Sequence, residues 1–130
     1  MKNISVEVVA NRFIEYSDCF LDMKTGFVWS KMNENLSWKD AIIFSKKLDK
    51  VCGYKWRLPS IEELITLIDF SISGPATKLP GVYSEIYWSS SNFINTNKYV
   101  WTIYFGDGYI DKISKTTTGN YARYVSGPIF

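Results

Sequence analysis

The stretch Gly53-Tyr54-Lys55-Trp56-Arg57-Leu58-Pro59-Ser60-Ile61-Glu62-Glu63-Leu64 constrains this chain more than any other, because it fixes where a helix must start. Proline at 59 drives Leu58 out of the helical region, so no upstream helix can run through it. Ser60 supplies an N-cap oxygen, and Glu63, three residues on, completes a capping box. An amphipathic helix is therefore predicted from Ile61, with Ile61, Leu64, Ile65 and Ile68 on its buried face. It is expected to end near Phe70, ahead of Ser71, Ser73, Gly74 and Pro75.

Other segments give weaker instructions of the same kind. Ile4, Val6 and Val8 alternate with Ser5 and Glu7, which reads as a half-buried first strand whose expected partner lies near Phe27-Val28-Trp29. Asp22 and Gly26 supply turn chemistry between Phe20-Leu21 and Phe27-Val28-Trp29, so these two read as arms of a hairpin. Ser37 caps a first helix with Asp40 at its third position, predicted to run to about Lys50. Trp38, Ala41, Ser45, Leu48 and Cys52 share one face of it. Lys39, Lys46 and Lys50 share another, read as a solvated stripe with glycan or lipid contact as the alternative. After the second helix a breaker-rich loop extends to Tyr83, of a length that often carries binding.

The last third reads as strands: Ile86 to Ser90, then a polar loop from Asn92 to Lys98, then Tyr99 to Phe105 with Trp101, Ile103 and Phe105 inward and Val100, Thr102 and Tyr104 opposite. Gly106-Asp107-Gly108 turns the chain back into Tyr109 to Ile113. Ala122-Arg123-Tyr124-Val125 is a final strand.

At 130 residues the chain fits a single domain, 1–130, with one core. It holds 5 Trp, 9 Tyr and 8 Phe, more rings than a small core needs, which is compatible with a binding surface. Net charge is only +2 with the basic residues scattered, so no footprint of a duplex nucleic-acid binder is seen. There is no His, which removes the commonest general base and transition-metal ligand. Cys19 and Cys52 form neither a metal spacing nor a CxxC pair, and read as two thiols or a single disulfide. Met1 to Val9 lacks the apolar stretch of a secretory signal, and no apolar run reaches membrane-spanning length, so no membrane insertion is expected.

Five segments in order carry a resemblance: Asp22 to Trp29, Ser37 to Ala41, Trp56 to Leu64, Tyr87 to Ser91, and Trp101 to Gly108, closing on Arg123-Tyr124-Val125-Ser126-Gly127. They resemble the Lcl C-terminal domain family, named for the Legionella collagen-like adhesin, over about residues 18 to 127. The resemblance implies an α+β, C-type-lectin-like fold: two helices packed on twisted, mostly antiparallel sheets, termini close together, and a long loop region for ligand contacts. It implies kinship with formylglycine-generating enzymes and with the variable proteins of diversity-generating retroelements, and a secreted or surface location, where some members bind sulfated glycans. Many members carry a cysteine pair at positions that match Ser45 and Tyr124 here. Its absence leaves the compartment open.

Set against these motifs, Arg57 reads as a structural ion pair with Glu62 or Glu63, and Trp56, Trp88 and Trp101 as core. Ser89, Ser90 and Ser91 read as hydrogen-bonding strand-end residues, since no base accompanies them. The loop and strand motifs of the calcium-dependent sugar-binding C-type lectins are absent, and Asp107 and Asp111 are too few for a calcium cage. Neither metal nor cofactor is expected, and no enzymatic activity. The expected function is recognition of a glycan or a protein at a cell or phage surface; the alternative is an oligomerisation domain of a larger fibre. The outward residues assigned to ligand binding are Asn92, Asn95, Asn97, Lys98, Tyr99, Tyr104, Tyr109, Lys112 and Lys115, a mix of rigid phenols, adaptable amides and cations.

Overall fold

The computed structural model describes residues 7–9, 12–48 and 53–130. In chain order it forms β1 (Glu7–Val9), β2 (Phe13–Glu15), β3 (Cys19–Asp22), β4 (Val28–Ser30), β5 (Glu34–Asn35), α1 (Trp38–Lys47) and α2 (Ile61–Ile65), then β6 (Ile86–Asn92), β7 (Tyr99–Tyr104), β8 (Tyr109–Ser114), β9 (Tyr121–Ala122) and β10 (Val125–Ser126). Two five-stranded sheets result, ordered β1-β2-β3-β4-β10 and β5-β9-β6-β7-β8. Every pairing is antiparallel except the single Tyr87↔Tyr121 contact of β6 with β9. The architecture is α+β with two helices and two mostly antiparallel sheets, as expected.

The helix starts follow the local chemistry. Ser60 accepts from the Glu63 amide at 3.1 Å and Glu63 returns the bond to the Ser60 amide at 2.9 Å, closing the capping box. Ser37 accepts from the Asp40 amide at 3.1 Å at the start of α1. The second helix is shorter than expected, stopping at Ile65 rather than near Phe70. Past Leu64 the amides of Leu67 and Ile68 bond three residues back, and the Asp69 amide leaves the helix for the Ala76 carbonyl at 2.8 Å. This tightening turns Leu67 inward and leaves Ile65 exposed, against the expectation that Ile65 is buried.

Both faces of the sheets are covered. Phe20, Trp29, Tyr87, Ile103 and Phe105 meet Ile61, Leu64 and Leu67 in one cluster. Leu21, Val28, Trp88 and Val100 meet Ala41 and Leu48 of the α1 region in the other. Alternation along each strand feeds both clusters, because successive side chains point to opposite faces. Val100 and Thr102 do lie opposite Ile103, but that face is as dry as the first. The breaker-rich loop is likewise packed: Ala76, Leu79 and Val82 are buried, and the last two join the first cluster.

Two strand expectations need correction. β1 pairs with β2, not with the Phe27–Trp29 strand, since β2 is its nearest neighbour in sequence and a short connection favours hairpin closure. The described part of β1 is Glu7–Val9; Ile4 and Val6 lie outside the described residues, as do Lys50 and Cys52. Cys19 is buried on β3. The final strand is two strands: β9 pairs with β5 and β6 in one sheet, and β10 pairs with β4 in the other. β1 and β10 share a sheet but hold its opposite edges.

Arg123 and Tyr124 make that crossing between sheets. The Tyr124 hydroxyl donates to the Ala41 carbonyl of α1 at 3.1 Å, and its ring lies 5.8 Å from that of Phe44. Ser45, one turn beyond Ala41, donates to the Ile42 carbonyl at 2.6 Å. The chain thus ties α1 to its last strands with a buried phenol. Burial pushes that phenol well above its ordinary pKa, so it stays a donor.

The β3–β4 turn hangs on Asp22, which is fully buried. It accepts from Arg12 Nε at 2.8 Å and Nη2 at 2.6 Å, from the Lys24 amide at 3.0 Å and from the Thr25 hydroxyl at 2.9 Å. Burial alone would raise its pKa; the hydrogen bonds from Arg12 and Thr25 and the Arg12 charge outweigh it and hold the carboxyl below its ordinary value. A depressed pKa contributes stability that is present above the unfolded-state value and lost as pH falls through the folded one. Asp22→Asn is expected to lower unfolding free energy by about 2–3 kcal/mol at pH 7, with the difference from the parent chain shrinking below about pH 4, as read by urea melts across pH.

Candidate ligand-binding surface

The assigned residues follow from the geometry of β6, β7 and β8. β6 carries a register irregularity between Trp88 and Asn92, and the serine run fills it. Ser89 Oγ donates to the Trp101 carbonyl at 2.5 Å, the Ser90 amide donates to the Pro59 carbonyl at 2.8 Å, and Ser91 Oγ accepts from the Ile61 amide at 2.9 Å. The Ser89 and Ser91 hydroxyls and the Ser90 amide thus bind scaffold. The expected structural role of Arg57 also holds: it pairs with Glu63 and donates to the Gly127 carbonyl at 3.0 Å. Trp56 and Trp88 are buried and Trp101 is half-buried.

Strand register splits the ligand-binding set in two. β7 pairs with β8 from Tyr99↔Ser114 through Trp101↔Lys112 to Tyr104↔Tyr109. Asn92, Asn95, Asn97, Lys98, Tyr99 and Lys115 gather at the β6–β7 connection, with Lys112 on the adjoining strand, while Tyr104 and Tyr109 face each other at the far turn. The connection is held by backbone bonds: Phe93 amide to Tyr99 carbonyl at 2.9 Å, Thr96 amide to Phe93 carbonyl at 3.3 Å, and Lys115 amide to Lys98 carbonyl at 2.9 Å. Asn95 occupies the left-handed region at φ 60, a conformation that asparagine tolerates better than most residues. At the far turn the Tyr104 ring lies directly over Gly106, where a Cβ would meet its hydroxyl oxygen at 2.3 Å.

Cations and rings are paired at the near end. Lys112 Nζ sits 5.0 Å from the Phe93 ring centroid, and Phe93 in turn packs edge-on against Trp101 at 5.1 Å. Lys115 Nζ sits 4.0 Å from the Trp38 ring, whose Nε1 donates to the Ser89 carbonyl at 2.9 Å. Trp101 packs on the first core cluster and Trp38 on the second, so the two amines flank the sheet from opposite faces. None of the four ion pairs found among the described residues involves Lys98, Lys112 or Lys115. The sequence reading missed Phe93 and Trp38 as partners of these lysines. An aromatic inside a polar loop, and a tryptophan at the first position of a helix, were the available signals.

This end offers ammonium donors held over rings, amides on a backbone-braced loop, and half-buried aromatic faces. Such a set suits hydroxyl, sulfate, carboxylate or apolar C–H groups. Among the described residues no group of three or more Cys, Asp and Glu side chains is placed to hold a metal ion. Asp107 and Asp111 each accept a neighbouring backbone amide, from Tyr109 at 3.0 Å and Lys112 at 2.8 Å. No helix among the described residues is long and apolar enough to cross a membrane. Asn95→Val is expected to cost about 1–2 kcal/mol in a denaturant melt and Asn95→Gly close to nothing, because a β-branched residue resists the left-handed region that glycine enters freely.

No curated protein and no solved structure matches the chain. The model of the Lcl C-terminal domain matches residues 18–126, which takes in both sheets from β3 onward, both helices and the whole candidate surface. On that match this chain belongs to the Lcl C-terminal domain family.

Proposed function

We propose that the chain is a non-enzymatic recognition module of C-type-lectin-like architecture, binding a glycan or a protein at a cell or phage surface without calcium. The observation that carries the reading is the pair of lysines held over rings, Lys112 on Phe93 and Lys115 on Trp38, around an asparagine-bearing loop, with no carboxylate paired to either among the described residues. Because the rings and the loop backbone fix these groups beforehand, less conformational entropy is lost on binding. The Ser89 and Ser91 hydroxyls are committed to backbone partners, and the exposed Ser90 has no histidine to activate it, which supports recognition over catalysis. The two helices and two mostly antiparallel sheets are consistent with the lectin-like architecture.

A second reading, an assembly domain of a larger fibre, draws on Phe70, Ile94 and Phe130, which are 78%, 72% and 71% exposed. Against it, the edge strand β8 is guarded: Asp111 takes the Lys112 amide, and Thr117 donates both its amide and its hydroxyl to the Ser114 carbonyl. A strict monomer by light scattering would count against assembly.

The test is a glycan array and a cell-surface pull-down with the parent chain and single variants. Lys112→Ala and Lys115→Ala are each expected to weaken ligand binding by about two- to fivefold, the size of one exposed charge contact with the ligand. Tyr104→Ala, at the far turn, is expected to leave it unchanged. Retained binding in both lysine variants with loss in Tyr104→Ala would move the site to the other end of the sheet.

A further inference from the structure

A second surface lies at the β7–β8 turn, away from the lysine end. Phe70, Asp107, Gly108, Tyr109 and Ile110 line a groove of about 320 Å³, at the small end of ligand sites, which run from roughly 300 to 1,000 Å³. Its two walls are zipped together by the Gly74 amide to the Gly106 carbonyl at 2.9 Å and the Ala76 amide to the Phe105 carbonyl at 2.6 Å. Gly108 has φ +87, and a Cβ there would lie 2.9 Å from the Phe70 ring and 3.1 Å from Ile68, so the missing side chain is what seats the ring against the turn. The outer faces stay open: Phe70 is 78% and Tyr109 63% exposed. Among the described residues neither ring enters a ring pair.

The charge around this groove has one sign. Residues 68–76 and 104–111, which build it, contain Asp69, Asp107 and Asp111 and no lysine or arginine. Lys78 reaches Asp69 from outside at 3.6 Å. Asp107 uses Oδ1 for the Tyr109 amide, while its Oδ2 makes no hydrogen bond among the described residues. Open ring faces beside an unspent carboxylate suit a planar cation, which stacks on the rings and pairs with the acid. The chain's own arginines are committed: Arg12 to Asp22, Arg57 to Glu63, and Arg123 inside the core. A guanidinium for this groove has to come from another molecule.

The geometry points to a docking site for a partner protein that presents an arginine flanked by apolar residues, the guanidinium lying between Phe70 and Tyr109 against Asp107. An anionic glycan is disfavoured here by the same carboxylates. The site does not depend on the lysine end, and either can fail without the other.

The test uses the ¹⁵N-labelled full chain titrated with the blocked peptide Ac-Leu-Arg-Leu-NH₂ and with its citrulline counterpart, which keeps the shape and removes the charge. The arginine peptide is expected to shift the Phe70, Gly108 and Tyr109 amides. Asp107→Asn, which keeps an acceptor for the Tyr109 amide, is expected to weaken that response at least about fivefold, and so is roughly 0.5 M salt. Phe70→Ser is expected to abolish it while leaving the dispersed spectrum of a folded chain, since that side chain is mostly in solvent. No shift up to about 10 mM peptide overturns the proposal, that being weaker than a useful anchor contact. An equal response to the citrulline peptide overturns it too. So does concentration-dependent broadening of the same amides without peptide, which would make a second copy of the chain the occupant.

Discussion

Residues 121–126 hold the molecule together, because six residues serve both sheets. Tyr121–Ala122 complete one sheet and Val125–Ser126 complete the other. Between them Arg123 donates from Nε to the Ser30 carbonyl and from Nη2 to the Pro80 carbonyl at 3.1 Å. Tyr124 exchanges bonds with Ser30 through its amide and carbonyl, and its hydroxyl reaches α1. Val125 and Arg57 exchange amide bonds at 3.0 Å each way, and Ser126 Oγ donates to the Lys55 carbonyl at 2.6 Å. The segment before α2, the packed 76–82 loop, β4 and α1 therefore all meet one short stretch of chain.

Arg123 shows what this arrangement costs. Its side chain is almost wholly buried, and its Nη1 has no hydrogen-bond partner among the described residues. Burial lowers its pKa to about 10, with the Tyr87 and Tyr83 phenols pulling the other way, so it remains a cation at neutral pH. A buried charge with neutral partners is expensive, and it is retained where its donors satisfy carbonyls that would otherwise be stranded. Here those carbonyls belong to Ser30 and Pro80, on two separate parts of the chain. Tyr87, whose phenol burial raises to about 12, extends the network by accepting from the Tyr83 amide and donating to Asn33 at 2.8 Å. Since α2 and the 76–82 loop cover one face of the sheets and α1 the other, the sheets themselves meet solvent mainly along β8 and at the turns that flank it. Both proposed surfaces lie there.

What could be read from sequence was local. The Pro59-Ser60-Glu63 cap, the Ser37 cap and the Asp22–Gly26 turn each depend on groups within four residues of one another, and each formed as expected. The Arg57–Glu63 pair, six residues apart across the same cap, was legible from the acidic residues that open α2. The short strands β2 and β5 were not, because two or three residues carry too little periodicity to be seen; they exist through pairing with distant segments. The division of the last strand between sheets was hidden too, since an alternating run does not say which neighbour each half will find. The candidate surface was half legible. Its outward polar residues can be proposed from the strand pattern, but the register that sends Tyr104 and Tyr109 to the far turn, and the rings of Phe93 and Trp38 beneath the lysines, belong to tertiary structure.

The central claim is that the signature segments are scaffold, tied through residues 121–126, while the proposed recognition surfaces lie at turns that do not bear the fold. Native-state hydrogen exchange tests it most directly, because amides opened only by global unfolding report the full stability and those opened locally report less. The amides of Arg57, Tyr124 and Val125 are expected to exchange at the global limit, and those of Thr96 and Lys98 in the β6–β7 connection far faster. Exchange of Arg57 and Val125 as fast as Lys98 would contradict the account.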